Sequence, residues 1–274
     1  MVKKLYNIIG IFCPKSDMLT QKRKGNLNLI KKKLIILPIA ASLLLSGCNL
    51  FQETYKSAAL SYDYSQMEFI QFEEPEEGQM TAVIHTTLGD ITALLYPEYA
   101  PNTVDNFVNR AKDGYYDNNK FYMIHENYFA ATGSNADDGS KGATNDGELI
   151  ENEYTPKLWP FKGSLCAYSS TMGYSDSRFM MCNTFEFTDE EVESLRSITK
   201  DDKQLFPEEL ISAWKEHGAL PTVSGIWTVF GQIIEGQEVL DRIMAADRDE
   251  TGVPTEDIRI KNIEISEYKG GAAQ

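Results

Sequence analysis

Hydrophobic and polar positions change period several times along the chain. Two β-rich runs, Thr81 to Thr87 and Ile91 to Tyr96, flank Leu88-Gly89-Asp90, a pattern that predicts a hairpin. Pro97-Glu98-Tyr99-Ala100-Pro101 ends the second run, and Pro101 stands where the first turn of a helix tolerates proline. Val104, Phe107, Val108 and Ala111 then recur at i, i+3, i+4 and i+7, one apolar helical face, with Gly114 as its stop. Further strands are predicted at Phe121–Ile124, Tyr128–Thr132, Leu165–Tyr168, Phe179–Cys182, Thr228–Ile234 and Ile258–Ile265. A second core helix carrying Val239, Leu240 and Ile243 fits between the last two. Many short strands with two core helices predict a mainly β fold, an antiparallel barrel capped by helices.

The two ends read differently. Lys31-Lys32-Lys33 precedes the apolar run Leu34 to Leu45, which is shorter than the roughly 20 residues a membrane-crossing helix needs. Its length suits the apolar part of an export signal, with the lysines as the positive flank. Leu45-Ser46-Gly47-Cys48 follows and resembles a bacterial lipobox, which implies a signal peptide over 1–47 and a lipid on Cys48. Translation from Met1 or from Met18 is compatible with this pattern. Residues 48–79 have no sustained period, and Glu73-Glu74-Pro75-Glu76-Glu77-Gly78 is an acidic, Pro- and Gly-punctuated stretch. A flexible acidic tether is therefore expected, although Tyr55, Tyr62, Tyr64, Phe69 and Phe72 offer surfaces that could lie on a domain or a membrane. Residues 270–274 read as a disordered tail.

Charge sharpens this division. The 274-residue chain has a net charge of −15. Residues 1–47 carry nine Lys/Arg and one acid; the remaining 227 residues carry seventeen bases and forty acids, a net −23. So acidic a body gains nothing from a polyanion, and no nucleic-acid partner is expected. His85, His125 and His217 fall in separate elements, and Asp137-Asp138-Gly139-Ser140 lacks the alternating spacing of a calcium loop, so neither a metal nor a cofactor is expected. Cys166 and Cys182 fall on strands expected to be adjacent; a disulfide is conceivable, and two buried thiols are the plainer expectation.

Five segments in order resemble the cyclophilin-type peptidyl-prolyl isomerases. They are Tyr96 to Phe107, Gly114-Tyr115-Tyr116-Asp117, Phe121 to Gly133, Gly163-Ser164-Leu165 with Ser177-Arg178-Phe179, and Thr228 to Ile233. The resemblance covers residues 80–269 apart from an insertion at about 186–221. It implies a closed eight-stranded antiparallel barrel capped by two helices and a proline-binding groove on the outer face; the chain is expected to be a monomer. In the insertion, Thr188 with Asp189, Glu190 and Glu191 marks a helix start. Pro207-Glu208-Glu209 opens a second helix that presents Leu210, Ile211 and Trp214 and ends at Gly218. The two helices resemble an insertion in bacterial lipoprotein members of the family. They are expected to pack on the barrel, with a lid beside the groove as the alternative.

The groove positions depart from the family pattern. X-Pro isomerisation needs no nucleophile or cofactor; it needs an apolar seat for the ring and donors that favour the twisted amide over either planar form. The family supplies a key donor from an arginine, and Met123 stands there; a thioether cannot donate. By the same register Tyr128 and Phe129 hold the pocket floor and Ala131 replaces a glutamine. Tyr168 replaces a small residue, Ser169 an asparagine, Arg178 a second glutamine, Met180 a phenylalanine and Trp227 a histidine. Three readings follow. Arg178 supplies a substitute guanidinium and leaves a slow isomerase of X-Pro bonds in exported proteins. The aromatic groove holds proline-containing or extended segments without catalysis. Or the groove is filled and the domain is a scaffold. In each, the domain is expected on the extracytoplasmic face of a bacterial cell membrane, anchored through Cys48.

Overall fold

The computed structural model describes residues 57–184, 187–200 and 202–270. The signal-peptide and lipobox readings, Cys48, residues 48–56 of the expected tether and residues 271–274 of the tail lie outside the described residues.

One antiparallel sheet organises the domain. Its strands are β1 (Met80–Thr86), β2 (Gly89–Leu95), β3 (Met123–His125), β4 (Phe129–Thr132), β6 (Ser164–Ala167), β8 (Phe179–Cys182), β11 (Thr228–Glu235) and β12 (Ile260–Glu267). They run in the order β12-β1-β2-β11-β6-β8-β4-β3, every neighbouring pair antiparallel. The expected closed barrel is met as a curled eight-stranded sheet. Its ladder runs from β12 to β3, and the segments leading into these edge strands meet in one isolated bridge, Lys120 to Arg259. Backbone bonds from Phe121 N–H to Ile258 O (2.9 Å) and Ile260 N–H to Asn119 O (2.8 Å) flank that bridge.

Helix α1 (Pro101–Lys112) carries the predicted stripe, and Val104, Phe107, Val108 and Ala111 are all buried. The Glu153 carboxylate reaches its first turn, accepting from Asn102 N–H (3.0 Å) and Thr103 N–H (2.9 Å), as the positive end of a helix favours. Helix α4 (Gln237–Met244) buries Val239, Leu240 and Ile243 in the same core. There Phe107 packs on Tyr116, Phe179 and Phe230 at ring separations of 5.2–5.5 Å.

The insertion folds as its caps predict. In α2 (Asp189–Arg196), Thr188 and Glu191 form a reciprocal capping box. In α3 (Glu208–His217), Pro207 is the N-cap, and Gly218 closes the helix at φ 71°. Leu210, Ile211 and Trp214 sit in a second hydrophobic cluster with Trp159 and Phe161. Two short ladders went unpredicted: β9 (Thr199–Lys200) with β10 (Lys203–Gln204), and β5 (Ile150–Glu151) with β7 (Tyr174–Ser175).

The expectation of an unpacked tether is corrected for residues 57–72. Three 3₁₀ turns, Ala58–Ser61, Tyr64–Gln66 and Ile70–Phe72, lay this strap on the second cluster. Ala59 is buried there, and Leu60, Tyr62, Tyr64, Met67 and Phe69 pack against it. Tyr64 stacks on Trp159 at 6.2 Å and 10°. Gln71 is the fastening. The two hydrogens of its amide nitrogen are shared among Trp159 O (2.9 Å), Ser164 Oγ (2.8 Å) and Gln232 Oε1 (2.8 Å), and its oxygen accepts from Trp159 N–H (2.7 Å). The apolar area covered and a fully paired buried amide outweigh the acidic punctuation that follows at 73–78.

Candidate functional site

Sheet register brings most of the predicted site residues onto one face. Met123 pairs with Ala131, Ala131 with Met180, Met180 with Cys166, and Cys166 with Val229. Register partners point to the same side, so these five form a row across the outer face, and Phe129 stands in the next row opposite Cys182. The residues between them, Ile124, Ala130, Met181 and Leu165, point into the core, as period-2 alternation requires.

Side chains of the chain itself cover this face. Phe129 is 3% exposed, Ala131 and Met180 are 0%, while Met123, Tyr128, Ser169 and Trp227 are half-buried. The Trp227 ring meets Phe129 edge-on at 5.9 Å and tilts against Tyr168 at 6.2 Å. Tyr128 meets His125 edge-on at 4.6 Å. Ser169 is engaged in its own turn, where its hydroxyl is within 2.9 Å of Tyr174 O and 3.0 Å of Thr171 O. Beside Trp227 a slight depression has a mixed lining, with Glu153, Thr155 and Tyr154 beside Tyr62, Leu158 and Val229.

Arg178 is buried with its counter-ion. Its Nε donates to Asp176 Oδ1 (3.0 Å), its Nη2 to Asp176 Oδ2 (2.6 Å), and its Nη1 to Gly139 O (3.1 Å) and Ser170 Oγ (3.0 Å). The two side chains are 7% and 4% exposed. Burial works against the guanidinium charge, and the hydrogen bonds and charge of Asp176 more than offset it, raising its pKa above the ordinary arginine value. Two glycines allow the close approach. A Cβ on Gly142 would stand 2.1 Å from the Asp176 carboxylate, and one on Gly133 (φ 84°) 2.4 Å from Ser177 O. A guanidinium so engaged has all three nitrogens spoken for.

Tyr168 links this ion pair to the aromatic face. Its ring lies 5.5 Å from the Arg178 guanidinium and its hydroxyl hydrogen-bonds that of Tyr122. Burial pushes the Tyr168 phenol up to about 12 and that of Tyr122 well above its ordinary value. Cys166 and Cys182 are free, buried thiols with Sγ atoms 3.5 Å apart, and their contact with each other and burial raise the Cys166 pKa.

Sequence reasoning missed Tyr122, Asp176, Gly142 and Tyr62. For Asp176 a signal was present: in Asp176-Ser177-Arg178 the two charges lie on the same side of an extended chain. Gly142 and Tyr62 become neighbours of the site only through folding, and Tyr122, next to Met123 in sequence, through where its ring turns.

The strand order and the two core helices are those of a known family. A sequence model described as "Cyclophilin type peptidyl-prolyl cis-trans isomerase/CLD" matches residues 81–265. The chain belongs to this family. Curated relatives include a "Putative peptidyl-prolyl cis-trans isomerase" of Staphylococcus aureus (strain USA300), 30% identical over 194 residues, 71% of this chain and 95% of that protein. One of Staphylococcus saprophyticus bears the same description and is 32% identical over 189 residues, covering 69% and 93%. Among solved structures, the cyclophilin type peptidyl-prolyl cis-trans isomerase of Cryptosporidium parvum aligns with a TM-score of 0.54 at 22% identity, over 69% of this chain and 98% of that one. The same protein in the presence of the dipeptide Ala-Pro aligns with a TM-score of 0.53, over 68% and 98%. These last two likenesses are of fold.

Proposed function

We propose that this cyclophilin-type domain holds proline-containing or extended segments of exported proteins and leaves their X-Pro bonds to isomerise near the spontaneous rate. The observation that carries the reading is Met123 in the row where the family pattern calls for an arginine. A well-placed donor is worth about 2.7–4 kcal/mol of transition-state stabilisation, or 10²–10³ in rate. Ala131 and Trp227 replace the family's amide and imidazole on the same face, and the aromatic surface of Tyr128 and Trp227 supports retention of apolar segments. In this proposal Cys48 carries a lipid and the domain works as a monomer on the outer side of a bacterial membrane.

A second reading, a slow isomerase, is supported by the match of residues 81–265 to the isomerase family; Arg178 would have to leave its ion pair with Asp176 to serve as the donor. NMR exchange measured on an Ala-Pro peptide with the purified chain separates the two. The binding reading expects peptide-dependent shifts, an exchange rate within about twofold of the peptide alone, and a rise of about 10²-fold in Met123→Arg. Catalysis well above the spontaneous rate that disappears in Arg178→Lys would overturn it in favour of the slow enzyme.

A further inference from the structure

Tyr168 stands two residues beyond Cys166, the register partner of Met180, so alternation places its side chain on the outer face with Met180 and Ala131. β6 ends at Ala167, and the backbone of Tyr168 is held from both directions. Its N–H donates to Arg178 O and its carbonyl accepts from Asp176 N–H, each at 3.2 Å. With the main chain fixed, the ring can leave its place only by rotation of the side chain. On one side of the ring is Trp227, on another the Arg178 guanidinium, and at its tip the Tyr122 hydroxyl. The chain that follows, Ser170 to Met172, is exposed. A large aromatic thus lies at the rim of an apolar floor, Phe129, Ala131 and Met180, that is almost wholly covered. A neutral hydrogen bond to the Tyr122 hydroxyl is among the contacts that hold its far end.

We propose that Tyr168 is the gate of this groove and Tyr122 its latch: a small apolar or prolyl side chain reaches Phe129 and Met180 only when Tyr168 turns away from Trp227. The proposal rests on the segment-binding reading above and adds to it which residue limits access. Affinity for a ligand that binds the open form alone falls in proportion to the open fraction. A neutral hydrogen bond is worth a factor of about 2–10 in such an equilibrium, so cutting the latch raises affinity by that factor. Removing the ring raises it further.

The test uses the full chain, a fluorescein-labelled Ala-Pro peptide, and acrylamide quenching of tryptophan emission. Of the three tryptophans, Trp159 and Trp214 are 0% exposed, so collisional quenching reports Trp227. Tyr122→Phe and Tyr168→Phe keep both rings and remove the latch. They are expected to raise the Trp227 quenching constant and to tighten peptide binding about 2- to 10-fold. Tyr168→Ala is expected to tighten it at least about tenfold. Unchanged quenching and affinity in both Phe variants, at an unchanged melting temperature, makes Tyr168 a fixed part of the core and overturns the gate while peptide binding by the wild type stands. Raised quenching in the Phe variants with no peptide bound by any variant upholds the gate and overturns the binding reading instead.

Discussion

At the scale of single residues, the pair Asp176–Arg178 decides how the site is read. Buried ions lose several kcal/mol of hydration each, and only good geometry and further hydrogen bonds return it. Here a two-point contact between carboxylate and guanidinium, the Gly139 carbonyl and the Ser170 hydroxyl provide both. Removing one partner strands the other in a place 4–7% exposed. Asp176→Asn is therefore expected to lower stability by about 3–5 kcal/mol in urea unfolding. Asp176→Leu with Arg178→Met is expected to cost much less than the sum of the single changes. Additive losses would mean that the two side chains do not act as a unit. The sequence puts Arg178 immediately before β8, but position along the chain does not say where a long side chain turns. Asp176 turns it toward the loop at 139–142, and that needs the fold to be known.

At the scale of elements, legibility followed local chemistry. The helices of the insertion were readable because their ends are written in caps: Thr188 with Glu191, Pro207, Gly218. The paired strands were readable because each buries alternate residues on one side or both. The strap at 57–72 was not. Successive 3₁₀ turns have neither the 3.6 nor the 2 period on which pattern reading depends, and the partners of its aromatics lie about a hundred or more residues away in the chain. The folded unit accordingly begins before residue 80. A chain cut to start at Gln79 leaves Trp159 N–H and O without Gln71 and uncovers Ala59's neighbours. At about 1.5–3 kcal/mol for each apolar side chain fully buried, and less for half-buried ones, the loss is expected to be at least about 3 kcal/mol against a chain starting at Ser57. Gln71→Ala alone is expected to cost about 1–3 kcal/mol, because it leaves buried polar groups unpaired. Thermal unfolding of the two chains and of Gln71→Ala checks both; equal melting temperatures would return the strap to the status of a tether.

At the scale of the whole molecule, the acidic composition and the buried phenols together set an alkaline limit. Tyr96, Tyr116, Tyr122 and Tyr168 are 1–7% exposed, and burial raises the pKa of each, to about 12 for Tyr168. An unfolded tyrosine releases its proton near 10. Between about pH 10 and the raised values the unfolded chain therefore binds fewer protons than the folded one, and stability falls as pH rises. Below pH 10 this contribution is fully present. Each such group removes about 1.4 kcal/mol per pH unit across that interval, so four remove on the order of 5 kcal/mol by pH 11. That is the scale of a domain's entire stability, and the self-repulsion of an acidic body acts in the same direction. Phenolate absorbance at 295 nm is expected to rise in two stages. The first is a reversible stage near pH 10 from exposed tyrosines. A second, steeper stage above pH 10.5 coincides with loss of the near-ultraviolet circular dichroism. Salt screens the surface repulsion but not groups shielded from solvent, so 0.5 M sodium chloride should move the second stage only slightly. A single stage at pH 10 with the circular dichroism intact would mean that these phenols reach solvent in the folded state. For Tyr122 and Tyr168 that outcome would also mean a groove that stands open, with its latch released without cost.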